Sequence, residues 1–225
     1  MSIELVTSRK SLIDRRQFLS TSLLSAACFA TVGAYAEMLT QTPKQSEGPF
    51  YPDRLPLDTD NDLLILNDNL TPALGEVTYL SGRILDAKGA PLRGVEVEIW
   101  QCDQHGAYLH SLTGNADKRD KNFQGFGRFL TGSKGEYLFR TIKPVSYPGR
   151  APHIHYKIKS KGKDLLVTQC YVQGDARNAN DMVIKGIKDE KARAAVQVPF
   201  VPIKNSKVGV LSAQFDIVLG FTPAD

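Results

Sequence analysis

At 225 residues the chain is long enough for one domain with a substantial core, and 23% charged against 42% apolar residues is an ordinary globular balance. The net charge of +4 is modest, and the first 36 residues supply half of it, because Arg9, Lys10, Arg15 and Arg16 outweigh Glu4 and Asp14 there. No basic run interleaved with aromatics exists, which argues against nucleic acid as the partner.

The first element reads as an address. Asp14-Arg15-Arg16-Gln17-Phe18-Leu19 is followed by an uncharged, apolar stretch to Ala34, and Ala34-Tyr35-Ala36 places small residues where a signal peptidase inspects the chain. Paired arginines ahead of Phe18-Leu19 resemble a twin-arginine export signal. Residues 1–36 are therefore expected to be a signal peptide and the mature protein periplasmic or secreted, without stable membrane association after processing. A short membrane anchor and an ordinary secretory signal are the alternatives. Cys28 follows Ser25-Ala26-Ala27, which matches a lipoprotein box only weakly.

Residues 37–76, rich in Pro, Asp and Asn, read as an extended N-terminal arm with turns. Residues 77–225 read as a β-domain. Val77 to Leu85 is a strand candidate, and Asp86-Ala87-Lys88-Gly89-Ala90-Pro91 is turn chemistry. From Val95 to Trp100 apolar and charged residues alternate, so Val95, Val97 and Ile99 should face the core and Glu96 and Glu98 water. Trp100 reads as core. Further strands are expected at Tyr137–Ile142, His153–Ile158 and Leu165–Val172, with a sixth and a hairpin within Val208–Leu219. Asp181 to Val196 reads as helical, weakened by Gly186. The fold class is mostly β: a β-sandwich with an extended N-terminal arm and few short helices. Cys102 and Cys170 match no zinc spacing and read as small buried side chains, although an oxidising compartment would permit a bridge.

All four histidines lie between residues 105 and 155. His105 and His110 read as exposed loop residues. His153 and His155 flank Ile154 on a strand candidate, so their side chains project from one face and can reach one metal. Such a pair also serves zinc hydrolases and cupin-like iron sites. Upstream, Tyr147-Pro148-Gly149-Arg150-Ala151-Pro152 forms a stiff loop that returns Tyr147 and Arg150 towards the pair, and Tyr108 lies beyond the end of a core strand.

With these residues the sequence resembles the intradiol ring-cleavage dioxygenases, the catechol and protocatechuate dioxygenase family. The resemblance rests on four stretches in order: Glu47 to Pro52, Gly82 to Tyr108, Phe123-Gln124-Gly125-Phe126-Gly127-Arg128 running on to Tyr147-Pro148, and Arg150 to His155. It implies Fe(III), one per chain, with Tyr147 and His155 as axial ligands, Tyr108 and His153 as equatorial ones, and solvent hydroxide as the fifth. It further implies catalytic roles for Arg150, Tyr147 and Gln169, and a substrate pocket lined by Gly48 and Pro49, with Tyr51 a further candidate. The loop between Tyr147 and His153 is shorter than in the protocatechuate enzymes, which puts the outer pocket in question.

The ligand chemistry agrees with that implication. A free phenol ionises near pH ~10, and a trivalent cation beside it favours the phenolate. Two phenolates and two imidazoles suit Fe(III) better than zinc, which prefers Cys, His and carboxylate. The expected partners are a small aromatic diol and O2, with a homo-oligomer left open. The expected reaction opens a catechol-type ring between its hydroxyl carbons to give a muconate-type diacid. The alternatives are an exported, non-catalytic β-sandwich that binds an aromatic or polysaccharide ligand, and a metal hydrolase built on the His pair.

Overall fold

Strand β1 (Val77–Leu85) has the bounds its sequence predicts. The computed structural model describes residues 39–66, 71–206 and 208–223; the export segment expected at residues 1–36 lies outside the described residues. One edge of β1 pairs antiparallel with β4 (Glu136–Ile142), with Val77 opposite Ile142 and Arg83 opposite Glu136. Its other edge carries β9 (Leu211–Gln214) and β10 (Ile217–Val218), both parallel to it, and β8 (Val201–Pro202) pairs with β9. Thr78 faces Leu211 and Ile84 faces Ile217, so β9 and β10 keep one register along β1. The hairpin expected within Val208–Leu219 is therefore a single parallel run, interrupted at Phe215-Asp216. The interruption sits against Gly82. There the Phe215 N–H donates to Ser81 O at 2.8 Å, and the Tyr137 hydroxyl donates to Phe215 O at 2.5 Å. A Cβ on Gly82 would stand 2.0 Å from that same oxygen, so only glycine admits the crossing.

The second sheet runs in the order β3 (Phe126–Leu130), β2 (Glu96–Trp100), β5 (His153–Ser160), β6 (Lys163–Val172), β7 (Gln197–Val198). All pairs are antiparallel except β6–β7. Val97, Ile99, Ile154, Tyr156 and Ile158 from this sheet meet Leu80, Ile84, Tyr137 and Phe139 from the first, all buried. Each such side chain contributes about 1.5–3 kcal/mol relative to exposure. The mostly β sandwich with few short helices is what the pattern of short strands predicts.

The arm is stitched into both sheets. Thr42 N donates to Val218 O (3.0 Å), Gln45 N to Val167 O (2.9 Å) and Leu63 N to Arg140 O (2.8 Å), and Leu63 and Leu64 are core residues. Asp181 to Val196 holds two short helices, α1 (Met182–Lys185) and α2 (Glu190–Ala195), in place of one. Each has its own aspartate cap: Asp181 accepts from Val183 N and Ile184 N, and Asp189 from Ala192 N. Cys102 and Cys170 are buried and unbridged.

Alternation along β2 has the expected period, yet Glu98 does not face water. Its side chain is fully buried on the outer face of the second sheet, where the arm covers it. Arg128 donates to it through Nη2 (3.0 Å) and Nε (3.1 Å), Lys159 through Nζ (3.3 Å) and Tyr51 through its hydroxyl (2.9 Å). Around Glu98 and Trp100 the second sheet is thus covered on both faces. Trp100 lies in an aromatic cluster on this outer face with Tyr108, Phe126 and Cys102, outside the sandwich interior.

Candidate functional site

The period-two geometry of β5 assigns Ile154, Tyr156 and Ile158 to the sandwich core and His153 and His155 to the opposite face. Cross-strand register then sets the neighbours: His155 lies opposite Trp100 on β2 and Gln169 on β6, and His153 opposite Tyr171. The two imidazole Nε2 atoms stand 3.1 Å apart.

Two loops deliver the phenols. After β2 the Asp103 carboxylate accepts from His105 N and Ala107 N, and Asp103 N donates to Ala107 O. This closed turn projects Tyr108, whose hydroxyl lies 3.3 Å from His153 Nε2. Before β5 a second turn closes from Arg150 N to Tyr147 O at 3.0 Å. It stands the Tyr147 ring perpendicular to Tyr108, with centroids 5.5 Å apart, and 5.7 Å from His153. The four side chains singled out in the sequence thus converge.

Arg150 sits beside them in a fork of hydrogen bonds. Its Nε donates to Asp181 (2.8 Å), Nη1 to the Tyr147 hydroxyl (3.4 Å), and Nη2 to Gln169 Oε1 (2.5 Å) and the Tyr171 hydroxyl (3.4 Å). Gln169 is in turn held by its Nε2 on Ser46 O (2.9 Å). The buried Asp181 carboxylate also accepts from Ala151 N (2.8 Å). These bonds hold its pKa down although burial works against the charge.

Gly48 backs onto the site: its positive φ of 74° turns the arm, and a Cβ there would lie 3.6 Å from His155 Cε1. Pro49 follows, exposed. Tyr51 is not brought to the four ligand candidates; it stands edge-on to Trp100 (5.0 Å), with its hydroxyl on Glu98. His105 is exposed and His110 half-buried. Sequence reasoning missed Asp181 and Phe50. Asp181 carried only a helix-cap signal, and the fold alone brings it to Arg150. Phe50 lay inside a quoted motif, and its ring stacks on Tyr108 at 4.9 Å and meets Tyr147 edge-on at 6.2 Å.

Electrostatically the cluster is ready for a cation. Burial pushes the His153 pKa down to about 3 and that of His155 well below the ordinary value, so both rings are neutral. His153 Nδ1 faces Ala151 O at 2.6 Å and donates to it, which leaves the Nε2 lone pair directed at the cluster. Burial also raises Tyr108 far above an ordinary phenol, and raises Tyr147 with Arg150 opposing. Neutral imidazole lone pairs and phenols that only a nearby cation would ionise form a fitting donor set for a hard trivalent metal. Among the described residues no three His, Cys, Asp or Glu side chains converge, and the protein donors beside the two imidazoles are the phenols of Tyr108 and Tyr147.

Comparison with known proteins covers the stretch of chain that holds these residues. The family model described as dioxygenase matches residues 46–220. The protocatechuate 3,4-dioxygenase beta chain of Burkholderia cepacia is 38% identical over 154 residues, 65% of this chain and 65% of its own length. Catechol 1,2-dioxygenase of Candida albicans is 26% identical over 173 residues, 69% of this chain and 54% of its own. The chain thus spans less than two thirds of each of these two relatives. Among solved structures, the dioxygenase domain of a dioxygenase and carbohydrate-binding protein fusion from Streptomyces sp. SirexAA-E superimposes with a TM-score of 0.60 at 31% identity. That match covers 81% of this chain and 100% of the domain.

Proposed function

Since the chain belongs to the intradiol ring-cleavage dioxygenase family, we propose that it opens the ring of a catechol-type diol between its two hydroxyl carbons with O2, giving a muconate-type diacid. One Fe(III) per chain would be held by Tyr108, Tyr147, His153 and His155. When bound there, iron supplies a Lewis-acid centre for the two diol oxygens and a route for electron density from the ring to O2. The observation that carries the reading is the convergence of two phenols and two neutral imidazoles beside a half-buried guanidinium.

The residues divide the remaining work. Tyr108, His153 and His155 are fully buried and serve as fixed donors. Tyr147 is only partly buried and has the Arg150 guanidinium beside its oxygen, so once a bound cation has ionised it, its phenolate oxygen is the atom suited to accept a diol proton. Arg150, locked by Asp181 and Gln169, presents Nη1 and Nη2 to negative charge developing on the substrate. Phe50 shields Tyr108 from water on the arm side.

The test is aerobic loading followed by oxygen-electrode assays with catechol, protocatechuate and hydroxyquinol. The expected result is one iron per chain, a burgundy colour that Tyr108→Phe alters, and stoichiometric O2 uptake with at least one diol. A colourless protein carrying stoichiometric zinc rejects the metal assignment. Bound iron without uptake on any diol leaves a binding protein instead.

Export is part of the same proposal, supported by Arg15-Arg16 ahead of an uncharged stretch. Cell fractionation of the Arg15→Lys, Arg16→Lys double variant should find the chain retained in the cytoplasm. Unchanged export of that variant removes the twin-arginine reading.

A further inference from the structure

The two histidines are held by different means. His153 is oriented by a hydrogen bond from Nδ1 to Ala151 O at 2.6 Å. His155 Nδ1 is buried, and among the described residues no protein group accepts from it. A metal-binding imidazole ordinarily uses its second nitrogen to fix ring orientation and tautomer, so His155 needs another device. The Trp100 indole lies flat against it, with ring centroids 4.7 Å apart and planes inclined by 9°. Trp100 Nε1 also lacks a partner among the described residues, so the indole meets His155 through its face alone. The indole is itself wedged from outside. Tyr51 meets it edge-on at 5.0 Å with its hydroxyl on Glu98, and Lys157 Nζ stands 3.7 Å above the Tyr51 ring, ion-paired with Glu47 at 2.6 Å.

From this geometry we infer that Trp100 is the positioning residue for His155: stacking on the indole fixes the imidazole plane where a hydrogen bond fixes that of His153. The inference rests on the proposed ligand role of His155. It gives Tyr51, Glu98 and Lys157 a task at one remove, because they brace the indole from behind. It also separates the two imidazoles chemically. His153 gains basicity from its carbonyl partner, whereas His155 depends on orientation alone.

The test compares iron retention against a chelator in the full chain, followed by loss of the phenolate-to-iron absorption. Trp100→Phe keeps a flat face and should retain iron within about threefold of the wild type. Trp100→Leu keeps an apolar side chain without a flat face and should lose iron at least tenfold faster, an effect the size of other losses in support around a metal. Phe126→Leu, in the same aromatic cluster but without a stack on histidine, should match the wild type. Equal retention by Trp100→Leu and the wild type overturns the inference, as does equal acceleration in all three variants. Trp100 is the chain's only tryptophan, so its emission reads the stack in unaltered protein even where a variant does not accumulate. Loading should quench that emission by more than half, and an unchanged emission with iron bound overturns the inference. Failure of the wild type to take up iron at all rejects the ligand assignment itself, which is a different result.

Discussion

Arg150→Ala is expected to retain iron and its colour while turnover falls by about a hundred- to a thousandfold, the loss typical when one donor to developing negative charge is removed. The argument is geometric. Nε, Nη1 and Nη2 of Arg150 each have a separate partner in Asp181, Tyr147 and Gln169, so the guanidinium plane is fixed before substrate arrives. Lysine has one charged nitrogen and cannot reproduce that fork, so Arg150→Lys should recover little of the loss. Stability also falls, because the substitution leaves the buried Asp181 carboxylate without its cation, a change that costs about 3 kcal/mol or more elsewhere. Iron content, absorption spectrum and kcat under saturating diol and O2 separate the two effects. Turnover within threefold of the wild type, with iron bound, removes Arg150 from the mechanism.

The metal-free protein should lose stability steeply on mild acidification. In the unfolded chain the histidines protonate near pH ~6.5. Folded, His153 stays neutral until about pH 3, and His155 is depressed in the same direction. Between those limits the unfolded state binds the protons, so the contribution is complete above the unfolded value and shrinks as pH falls through the window. The total loss is on the order of several kcal/mol. Urea midpoints of the metal-free protein measured from pH 7.5 to 4.5 should therefore drop continuously. Asp181 titrates below this span, since its hydrogen bonds depress it. A midpoint that stays level down to pH 4.5 contradicts the buried, neutral state of both rings.

Sequence carried these conclusions unevenly, and the reasons are physical. His153 and His155 were legible because period two on a strand is a local rule, whereas Tyr108 and Tyr147 were legible only through the family resemblance, since nothing local distinguishes them from ordinary half-buried tyrosines. Glu98 was misread because alternation tells which face a residue takes, but not what covers that face. Only the arm, some fifty residues earlier, supplies the Tyr51 hydroxyl that meets it. Asp181 was invisible for a similar reason: a cap signal accounts for its bonds to Val183 and Ile184, while its bonds to Arg150 and Ala151 exist only in three dimensions. The parallel run of β9 and β10 had no local signature either. Its register depends on the space that Gly82 leaves for Phe215.

One strand, β5, serves two masters, since neighbouring residues along it turn to opposite sides of its sheet. Ile154, Tyr156 and Ile158 answer to the framework, and the imidazoles between them answer to a covering of loops and arm. Substitutions within residues 46–52, 103–110 or 145–150 that spare Tyr108, Tyr147 and Arg150 therefore change the surroundings of the site while the residues packed between the sheets keep their contacts. If the proposed reaction holds, a change of substrate preference belongs to this covering layer, while the strands beneath keep their partners.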